Sequence, residues 1–310
     1  MTPEQRPFRF GLMIDTRQTS RESLIELARR SEAAGISILL GTDHLGRWAS
    51  LPMLQAAAAV TSLRIGNFVL NNDLRHPVVL AQELATVDLV TEGRLEIGIG
   101  AGWARSEYDA AGIQFDPPRL RLDRMERSVE ILKQALRDGR IDMPASPAGP
   151  QIRLDSVPRS VQQPHPPFLV GGGGPRLLRY AAREADIVAL NPRARREGGL
   201  QSSDIGEADV DRKIGWVREA AADRWALLEI NVVLFGVDPE YRRRSGPPPT
   251  RIHEISEEEV PRSPHYLTGD PGEMTEQLLA RRERWGISYV AMRPEHLKPT
   301  IEVMRRLAGR

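Results

Sequence analysis

The chain has no cysteine among its 310 residues, only three lysines, at positions 133, 213 and 298, and only 5% aromatic residues. The absence of cysteine excludes disulfide bonds, thiolate metal sites and cysteine nucleophiles. No segment approaches the roughly 18 uninterrupted apolar residues of a membrane-spanning helix. The first nine residues are polar and lack the apolar stretch of a signal peptide. We therefore expect a cytoplasmic protein that does not interact with membranes.

The chain also lacks an excess of charge of either sign, since its formal net charge is +1 at pH 7. A protein without an overall basic charge has no electrostatic field for nucleic acid, and we expect no such partner. Histidines and carboxylates do not occur at metal-ligand spacing, so the sequence predicts no metal site. A Ser-His-Asp order, a Walker loop and paired glycosidase carboxylates are missing too.

Short apolar runs alternate with helix-patterned segments along almost the whole chain, which is typical of α/β folds. The pattern predicts eight strands, over residues 8–14, 36–40, 64–70, 95–99, 168–170, 187–190, 227–235 and 287–292. Eight strands, each followed by a helix, predict a (β/α)8 TIM barrel in a single domain, residues 1–310. A doubly wound sheet shares this alternation, but the count of eight and the lack of a glycine-rich first turn favour the barrel.

Two insertions interrupt this order, after the fourth and the seventh strand. They cover residues 143–167 and 237–265, are rich in proline and polar residues, and show no sustained periodicity. We expect both to lie at the surface and to supply the walls of a substrate pocket.

Helix-capping signals mark the ends of several predicted helices. Thr19 and Glu22 have the spacing of a capping box at the start of the first helix, and Gly35 stands where a glycine ends it. Asp270 and Glu273 have the same spacing on either side of an N-terminal proline near the end of the chain. These signals support the predicted helix boundaries.

Two of the predicted strands end in glycines that lead into a helix. The segments are Gly98-Ile-Gly-Ala-Gly102 and the four glycines 171–174. Barrel enzymes bind ligands at the carboxyl ends of their strands, and glycine there exposes main-chain N–H groups. Pro175 then opens a helix, whose N-terminus attracts phosphate. Four consecutive glycines are unfavourable unless unusual φ angles or ligand contact require them, so the sequence predicts a phosphate-bearing cofactor. The alternatives are close packing for Gly98 and Gly100 and a flexible surface turn for residues 171–174.

Other chemically useful side chains follow strands at the same predicted end. Asp43 and His44 follow the second strand and are an acid–base pair or hydrogen-bond donors to a ring carbonyl. The alternative is that Asp43 caps the next turn while His44 packs. Trp48 and Trp103 either wall an aromatic cofactor or pack in the core.

Several of these segments resemble the luciferase-like monooxygenase superfamily, and within it the branch of F420-dependent oxidoreductases. The strongest resemblance is the segment from Gly93 to Trp103 with the following Glu107 and Tyr108. The segments 75–77, 169–186 and 267–290 are similar to the same family, so the resemblance spans nearly the whole chain.

The resemblance implies a TIM barrel that holds a flavin or deazaflavin at its C-terminal mouth, usually in a homodimer. It implies that Asp43 and His44 are catalytic residues near the reactive ring and that Trp48 and Trp103 border the substrate. It also implies a non-proline cis peptide between Phe68 and Val69, behind that ring. The cofactor-binding residues that it implies are Phe68, Val69, Asn71, Ala101, Gly102, Trp103, Gly171, Gly172, Gly173 and Gly174.

Trp103 departs from the pattern of one group in that branch. The F420-dependent glucose-6-phosphate dehydrogenases carry a glutamate at this position and use lysines for the sugar phosphate. The tryptophan and the scarcity of lysine argue against a sugar-phosphate substrate and favour a less polar organic one.

We therefore predict an oxidoreductase that transfers a hydride between coenzyme F420 and an unidentified small organic substrate. One alternative is an FMN-dependent monooxygenase that obtains reduced flavin from a reductase partner. Another is a flavin- or deazaflavin-binding protein without catalysis. The glycine-rich strand ends do not distinguish the phosphate of FMN from that of F420.

Overall fold

The computed structural model describes residues 5–14, 20–201, 203–239 and 255–310. Its strands in chain order are β1 (Arg9–Ile14), β2 (Ile38–Gly41), β3 (Arg64–Asn67), β4 (Leu70–Asn71), β5 (Leu95–Gly100), β6 (Ile141–Met143), β7 (Ile152–Leu154), β8 (Phe168–Gly172), β9 (Ile187–Leu190), β10 (Glu229–Val233), β11 (Gly236–Asp238), β12 (Tyr266–Thr268) and β13 (Ile287–Met292).

Eight of these strands form a closed parallel barrel. Its order is β3-β2-β1-β13-β10-β9-β8-β5, with β4 continuing β3, and the barrel closes because β3 also pairs with β5. The predicted (β/α)8 barrel is confirmed, and β9 and β13 have the predicted bounds. The continuous strand predicted over residues 64–70 is wrong, because a bulge at residues 68–69 separates β3 from β4. The assignment of one domain stays a prediction.

Helices follow the strands and cover the outside of the barrel. They are α1 (Arg21–Ala33), α2 (Ser50–Ala58), α3 (Pro77–Val90), α4 (Arg105–Ala111), α5 (Pro118–Asp138), α6 (Pro175–Glu184), α7 (Glu207–Ala221), α8 (Pro271–Trp285) and α9 (Leu297–Leu307). The main apolar core lies between these helices and the sheet. A smaller apolar cluster, which includes Leu40, Leu169, Val233 and Ala291, fills the inside of the barrel.

The helix caps agree with the sequence signals at one helix and differ at another. Asp270 accepts hydrogen bonds from the N–H groups of Gly272 and Glu273, so the predicted cap of α8 is confirmed. The capping box of α1 is formed by Ser20 and Ser23. The predicted box of Thr19 and Glu22 is therefore wrong by one residue, and Thr19 itself lies outside the described residues.

A buried ionic network lies at the amino ends of the strands and forms the floor of the barrel. Arg9 donates to Glu96 at 2.6 Å and to Glu229 at 2.7 Å, and its guanidinium stacks 3.8 Å from the Tyr289 ring centroid. Arg64 adds a second donor to Glu96 at 2.8 Å. Burial by itself would raise the pKa of Glu96, but the attraction and hydrogen bonds of Arg9 and Arg64 outweigh it and lower that pKa. Glu96 is therefore held as a carboxylate.

Glu96→Gln is expected to destabilise the fold by about 3 kcal/mol near neutral pH, because it removes the charged acceptor of Arg64 and one of the two charged acceptors of Arg9 at a buried position. The folded-state pKa of Glu96 is lowered, so its contribution is complete above its unfolded value and is lost as the pH falls through the folded value. The difference in the free energy of unfolding between wild type and variant, measured with urea, should accordingly become smaller at acid pH. Glu26→Gln, which removes an exposed pairing with Arg30, is the control and should change little.

The first insertion runs along α5 and then passes under the barrel. The strands β6 and β7 form an antiparallel hairpin against α5, where Arg127 donates to the carbonyl of Pro150. The chain then passes the amino ends of the strands, where Gln162 donates to the carbonyl of Leu95 and accepts from Arg64. Part of this insertion thus closes the amino end of the barrel, while its residues 148–150 and 152 line a cavity of about 530 Å³ together with residues 72–77, which follow β4. The expectation that residues 143–167 supply walls of a substrate pocket stays a prediction.

The described part of the second insertion lies at the mouth. β11 pairs in parallel with β12 directly after β10, and Val260 and Tyr266 pack with the apolar residues inside the barrel. Residues 240–254 of this insertion lie outside the described residues. Among the helices that the structure describes, none is both long and apolar enough to cross a membrane.

Candidate functional site

Three segments converge at the carboxyl ends of the strands, where they enclose a cavity. They are the residues after β2, the residues after β5 and the loop after β9. The loop after β9 contacts the segment after β5 through a hydrogen bond from the Gly199 N–H to the Trp103 carbonyl, at 3.1 Å. The cavity has a volume of about 390 Å³. Its lining residues are His44, Arg47, Trp103, Ala104, Arg105, Ser106, Glu107, Glu197, Gly198 and Gly199.

His44 lies in the wall of this cavity and contacts two groups from the segment after β5. Its Nδ1 is 2.5 Å from Oε1 of Glu107, in the first turn of α4. The edge of its ring meets the ring of Trp103, with centroids 5.9 Å apart and planes at 85°. The sequence predicted His44 and Trp103 at one site, but it gave no role to Glu107. Trp48, four residues after His44, is exposed to a similar extent as Trp103.

Asp43 has a different environment from its neighbour. Both of its carboxylate oxygens accept hydrogen bonds from the Arg75 guanidinium, at 2.7 and 3.0 Å, and one also accepts from the Asn71 N–H at 3.0 Å. Asp43 is buried, and these three donors occupy its oxygens. The geometry therefore favours a structural anchor over the predicted catalytic role for Asp43, and it leaves His44 as the acid–base candidate.

The bulge between β3 and β4 has the geometry that the resemblance implies. The peptide bond between Phe68 and Val69 is cis. Two glycines of β5 make room for it: a Cβ at Gly98 would collide with the carbonyl of Asn67, and one at Gly100 would lie 2.8 Å from the Val69 side chain. Both side chains of the bulge pack against the cluster inside the barrel and are only partly buried.

The segment after β5 is fixed from behind by Tyr108 and Arg121. The Tyr108 hydroxyl lies 3.1 Å from Oδ1 of Asn71, and a Cβ at Gly102 would collide with that hydroxyl. Arg121 donates to the carbonyls of Ala101 and Gly102. Gly102 has a φ of +75°. Packing and backbone conformation therefore account for this glycine without a ligand, and the side chain of Asn71 is directed to Tyr108.

Burial of Tyr108 also has an electrostatic consequence. Burial and the carboxylate of Asp73 raise the pKa of this phenol to about 12. The hydroxyl is therefore protonated at neutral pH and remains a donor, with Asp73 Oδ2 at 3.1 Å and the Ala101 carbonyl at 3.3 Å as further acceptors.

The four glycines at the end of β8 differ from one another. None of them has a positive φ, so unusual φ angles do not account for this run. A Cβ at Gly172 would collide with Leu177, and a Cβ at Gly173 would lie 2.5 Å from the Arg193 nitrogen. Gly171 has ordinary neighbours and one close contact, at 3.1 Å to the Asn191 side chain. Only Gly174, the N-cap of α6, has open space around the position of a Cβ.

This difference gives a direct test by two neighbouring substitutions. Gly173→Ala forces the backbone of residues 191–193 away and is expected to destabilise the fold by about 1–3 kcal/mol. Gly174→Ala adds a methyl group in open space and should cost less than about 1 kcal/mol, the penalty of alanine at an N-cap. Urea unfolding of both variants measures which substitution lowers the free energy of unfolding more. An equal decrease in the two variants would contradict the close packing at Gly173.

A buried ion pair supports the loop that packs against Gly173. Lys213 on α7 is fully buried; its Nζ lies 2.9 Å from Oδ2 of Asp204 and donates to the carbonyls of Asn191 and Asp204 at 2.9 and 2.6 Å. Asp204 also accepts from the N–H of Arg193 at 3.0 Å. The sequence gave one signal that could have identified this pair, because Lys213 is one of only three lysines.

Comparison with known proteins agrees with this geometry. Residues 6–207 match the family model described as luciferase-like monooxygenase. The chain belongs to this family. The match includes the strand ends that carry His44, the cis bulge and both glycine-rich segments, so the predicted family and the prediction of an enzyme are confirmed.

Two curated relatives and one solved structure illustrate where the chain lies in the family. An F420-dependent glucose-6-phosphate dehydrogenase from Kineococcus radiotolerans is 29% identical over 67% of this chain and 67% of its own length. A 5,10-methylenetetrahydromethanopterin reductase from Methanopyrus kandleri is 30% identical over 59% of this chain and 55% of its own length. The chain thus spans little more than half to two thirds of these relatives. The structure of the coenzyme F420-dependent tetrahydromethanopterin reductase from M. kandleri has the same fold, with a TM-score of 0.73, 18% identity, and 96% and 97% of the two chains covered.

Proposed function

We propose that this chain is an F420-dependent oxidoreductase that transfers a hydride between coenzyme F420 and a small organic substrate of low polarity. The observation that carries the proposal is the common position of the cis bulge, His44 and the open N-terminus of α6 at one mouth of the barrel. The F420-dependent relatives support the choice of cofactor.

The residues present fit such a cofactor. The first-turn N–H groups of α6 have no side-chain cap, and the open space at Gly174 leaves room for a phosphate near the positive end of the helix dipole. Phe68 and Val69 would back the ring, and the main chain at Ala101, Gly102 and Trp103 would border it. When bound, F420 supplies the site of hydride donation or acceptance. The chain's own residues bind and orient it and exclude water.

His44 is the residue that we propose handles the accompanying proton. Its imidazole is partly buried in the cavity wall, in a T-shaped contact with Trp103. Trp103 adds an apolar, uncharged side chain to a cavity that Arg47, Arg105, Glu107 and Glu197 also line, and this side chain supports a substrate less polar than a sugar phosphate. We further propose a homodimer, as the family resemblance implies, which light scattering of the purified chain would test.

Titration of F420 and of FMN against one protein preparation tests the proposed function. Quenching of F420 fluorescence at micromolar protein, stronger than that of FMN, is the expected result. Gly174→Ala should weaken F420 binding roughly tenfold, a loss of about 1.4 kcal/mol, because its methyl group intrudes on the phosphate position. Tighter binding of FMN would favour the monooxygenase with a reductase partner. Binding without bleaching of reduced cofactor by any acceptor would favour a binding protein, and quenching of neither would contradict the proposal.

A further inference from the structure

One carboxylate at the mouth has a contact that the proposed function does not use. Glu107 lies in the first turn of α4, its side chain is mostly buried, and its Oε1 is 2.5 Å from Nδ1 of His44. Asp109, two residues further along the same helix, is exposed and pairs with Arg105. The helix therefore directs one carboxylate to the imidazole and another to its exposed surface.

The contact determines which nitrogen of His44 is available to a ligand. A carboxylate is acceptor-only, so the Nδ1 beside it carries the hydrogen. In the neutral ring the lone pair then belongs to Nε2, across the ring from Glu107. The carboxylate also stabilises the ring when it is charged, because opposite charges at hydrogen-bond distance attract strongly where water is partly excluded.

The other groups around the cavity do not offer the same chemistry. Arg47 and Arg105 stay protonated at any physiological pH. Glu197, in the loop after β9, is exposed to solvent, and Trp103 and Ser106 do not titrate near neutrality. His44 and Glu107 are thus the pair in this wall with both a proton to exchange and a fixed geometry.

We infer that Glu107 is a positioning residue that holds His44 with Nδ1–H toward the carboxylate and Nε2 toward the substrate. The inference rests on the proposed function for its catalytic part. In carbonyl reduction a bound reduced deazaflavin would supply the hydride, with its two electrons, to the substrate carbon. The carbonyl oxygen would receive a proton from Nε2 of the imidazolium, the ring with hydrogens on both nitrogens. The N–H bond breaks, its electron pair stays on the neutral imidazole, and solvent later restores the proton. Alcohol oxidation moves the same atoms in reverse.

The tautomer of His44 tests the inference without any cofactor. In protein labelled with ¹⁵N-histidine, a long-range ¹H–¹⁵N spectrum identifies the protonated nitrogen, and His44→Asn assigns the signal among the six histidines. We expect Nδ1–H in the wild type and in Asp109→Asn. Glu107→Ala should return the ring to the Nε2–H form that free histidine prefers. An unchanged tautomer in Glu107→Ala would overturn the inference.

Turnover provides the second measurement. Glu107→Gln keeps the size of the side chain and removes the charge, so kcat should fall roughly 100-fold while KM and the affinity for F420 stay close to wild type. Asp109→Asn should keep the wild-type kcat. A kcat of Glu107→Gln within twofold of wild type would overturn the catalytic part. If neither cofactor binds, the proposed function fails while the tautomer measurement still decides the role of Glu107.

Discussion

Asp204→Asn is expected to lower the free energy of unfolding by about 3–5 kcal/mol, because it removes the counter-ion of a fully buried lysine. In the wild type Lys213 has Asp204 Oδ2 at 2.9 Å and two backbone carbonyls as its partners. The variant keeps the carbonyls but leaves a full positive charge without a neutralising group. Urea unfolding followed by tryptophan fluorescence measures the loss.

The pH dependence of that loss distinguishes a charge effect from a simple loss of packing. Burial lowers the pKa of Lys213, although Asp204 partly opposes the shift. Without the Asp204 carboxylate, the pKa of Lys213 in the folded state should fall further. In the unfolded chain, Lys213 keeps its proton up to the ordinary pKa of lysine. The unfolded state then binds more protons between these two values, so the variant should gain stability as the pH rises toward 10. A loss that is constant with pH would contradict this explanation.

Asp209→Asn is the matched control for the same region. Asp209 also pairs with Arg212, as Asp204 does, but its side chain is partly exposed. A surface ion pair is worth no more than about 1 kcal/mol, so this variant should remain close to wild type. A comparable loss in both variants would mean that burial of the Lys213–Asp204 pair does not matter.

The effect should also reach the functional site. Asp204 and Lys213 fix residues 191–193, and that backbone lies against Gly173 at the end of β8. If residues 191–193 move, the glycine-rich end of β8 loses the backbone that packs against it. Backbone contacts therefore connect this buried pair with the glycine-rich strand end of the proposed cofactor site.

The barrel could be predicted from the sequence because each strand is a short apolar run bounded by a helix signal. The strands β9 and β13 have their predicted bounds for that reason. The first insertion had no periodicity, and nothing local in it could reveal that Gln162 would bind the strands at the barrel floor. Long-range polar contacts of this kind depend on the fold as a whole.

The glycines illustrate the same limit at the site. A glycine in a sequence indicates either a ligand or a close neighbour, and the neighbour cannot be read from the chain. The structure shows these neighbours: Tyr108 lies against Gly102, Leu177 lies against Gly172, and the backbone near Arg193 lies against Gly173. Within the run 171–174, only Gly174 has open space where a Cβ would lie, and its predicted role in ligand contact stays a prediction.

Asp43 and Glu107 show why the acid–base assignment needed coordinates. Adjacent residues after a strand point to different sides, so Asp43 reaches Arg75 while His44 reaches the cavity. The partner of His44 lies 63 positions away, and no spacing rule connects them. Position at a strand end predicted that both residues lie at the mouth, whereas their partners, Arg75 for Asp43 and Glu107 for His44, follow from the packing.

His44→Ala is expected to lower kcat roughly 100- to 10,000-fold, the usual contribution of a general acid or base. F420 binding should be largely retained, because the proposed phosphate contacts come from α6 and the ring contacts from the bulge. Stopped-flow bleaching or formation of F420 fluorescence, combined with equilibrium titration, separates the two effects. His76→Asn, which replaces the histidine that caps α3 with another good N-cap residue, is the control and should keep the wild-type kcat.

The same variant discriminates between the functional alternatives. A binding protein without catalysis has no proton transfer to lose, so His44→Ala would change neither binding nor any reaction rate. An oxidoreductase that relies on His44 must lose turnover, and at low pH a small exogenous acid such as imidazolium should restore part of it through the space left by the ring. Rescue would assign the lost function to proton transfer, since a variant that had lost only the shape of its cavity would not respond to a proton donor in solution.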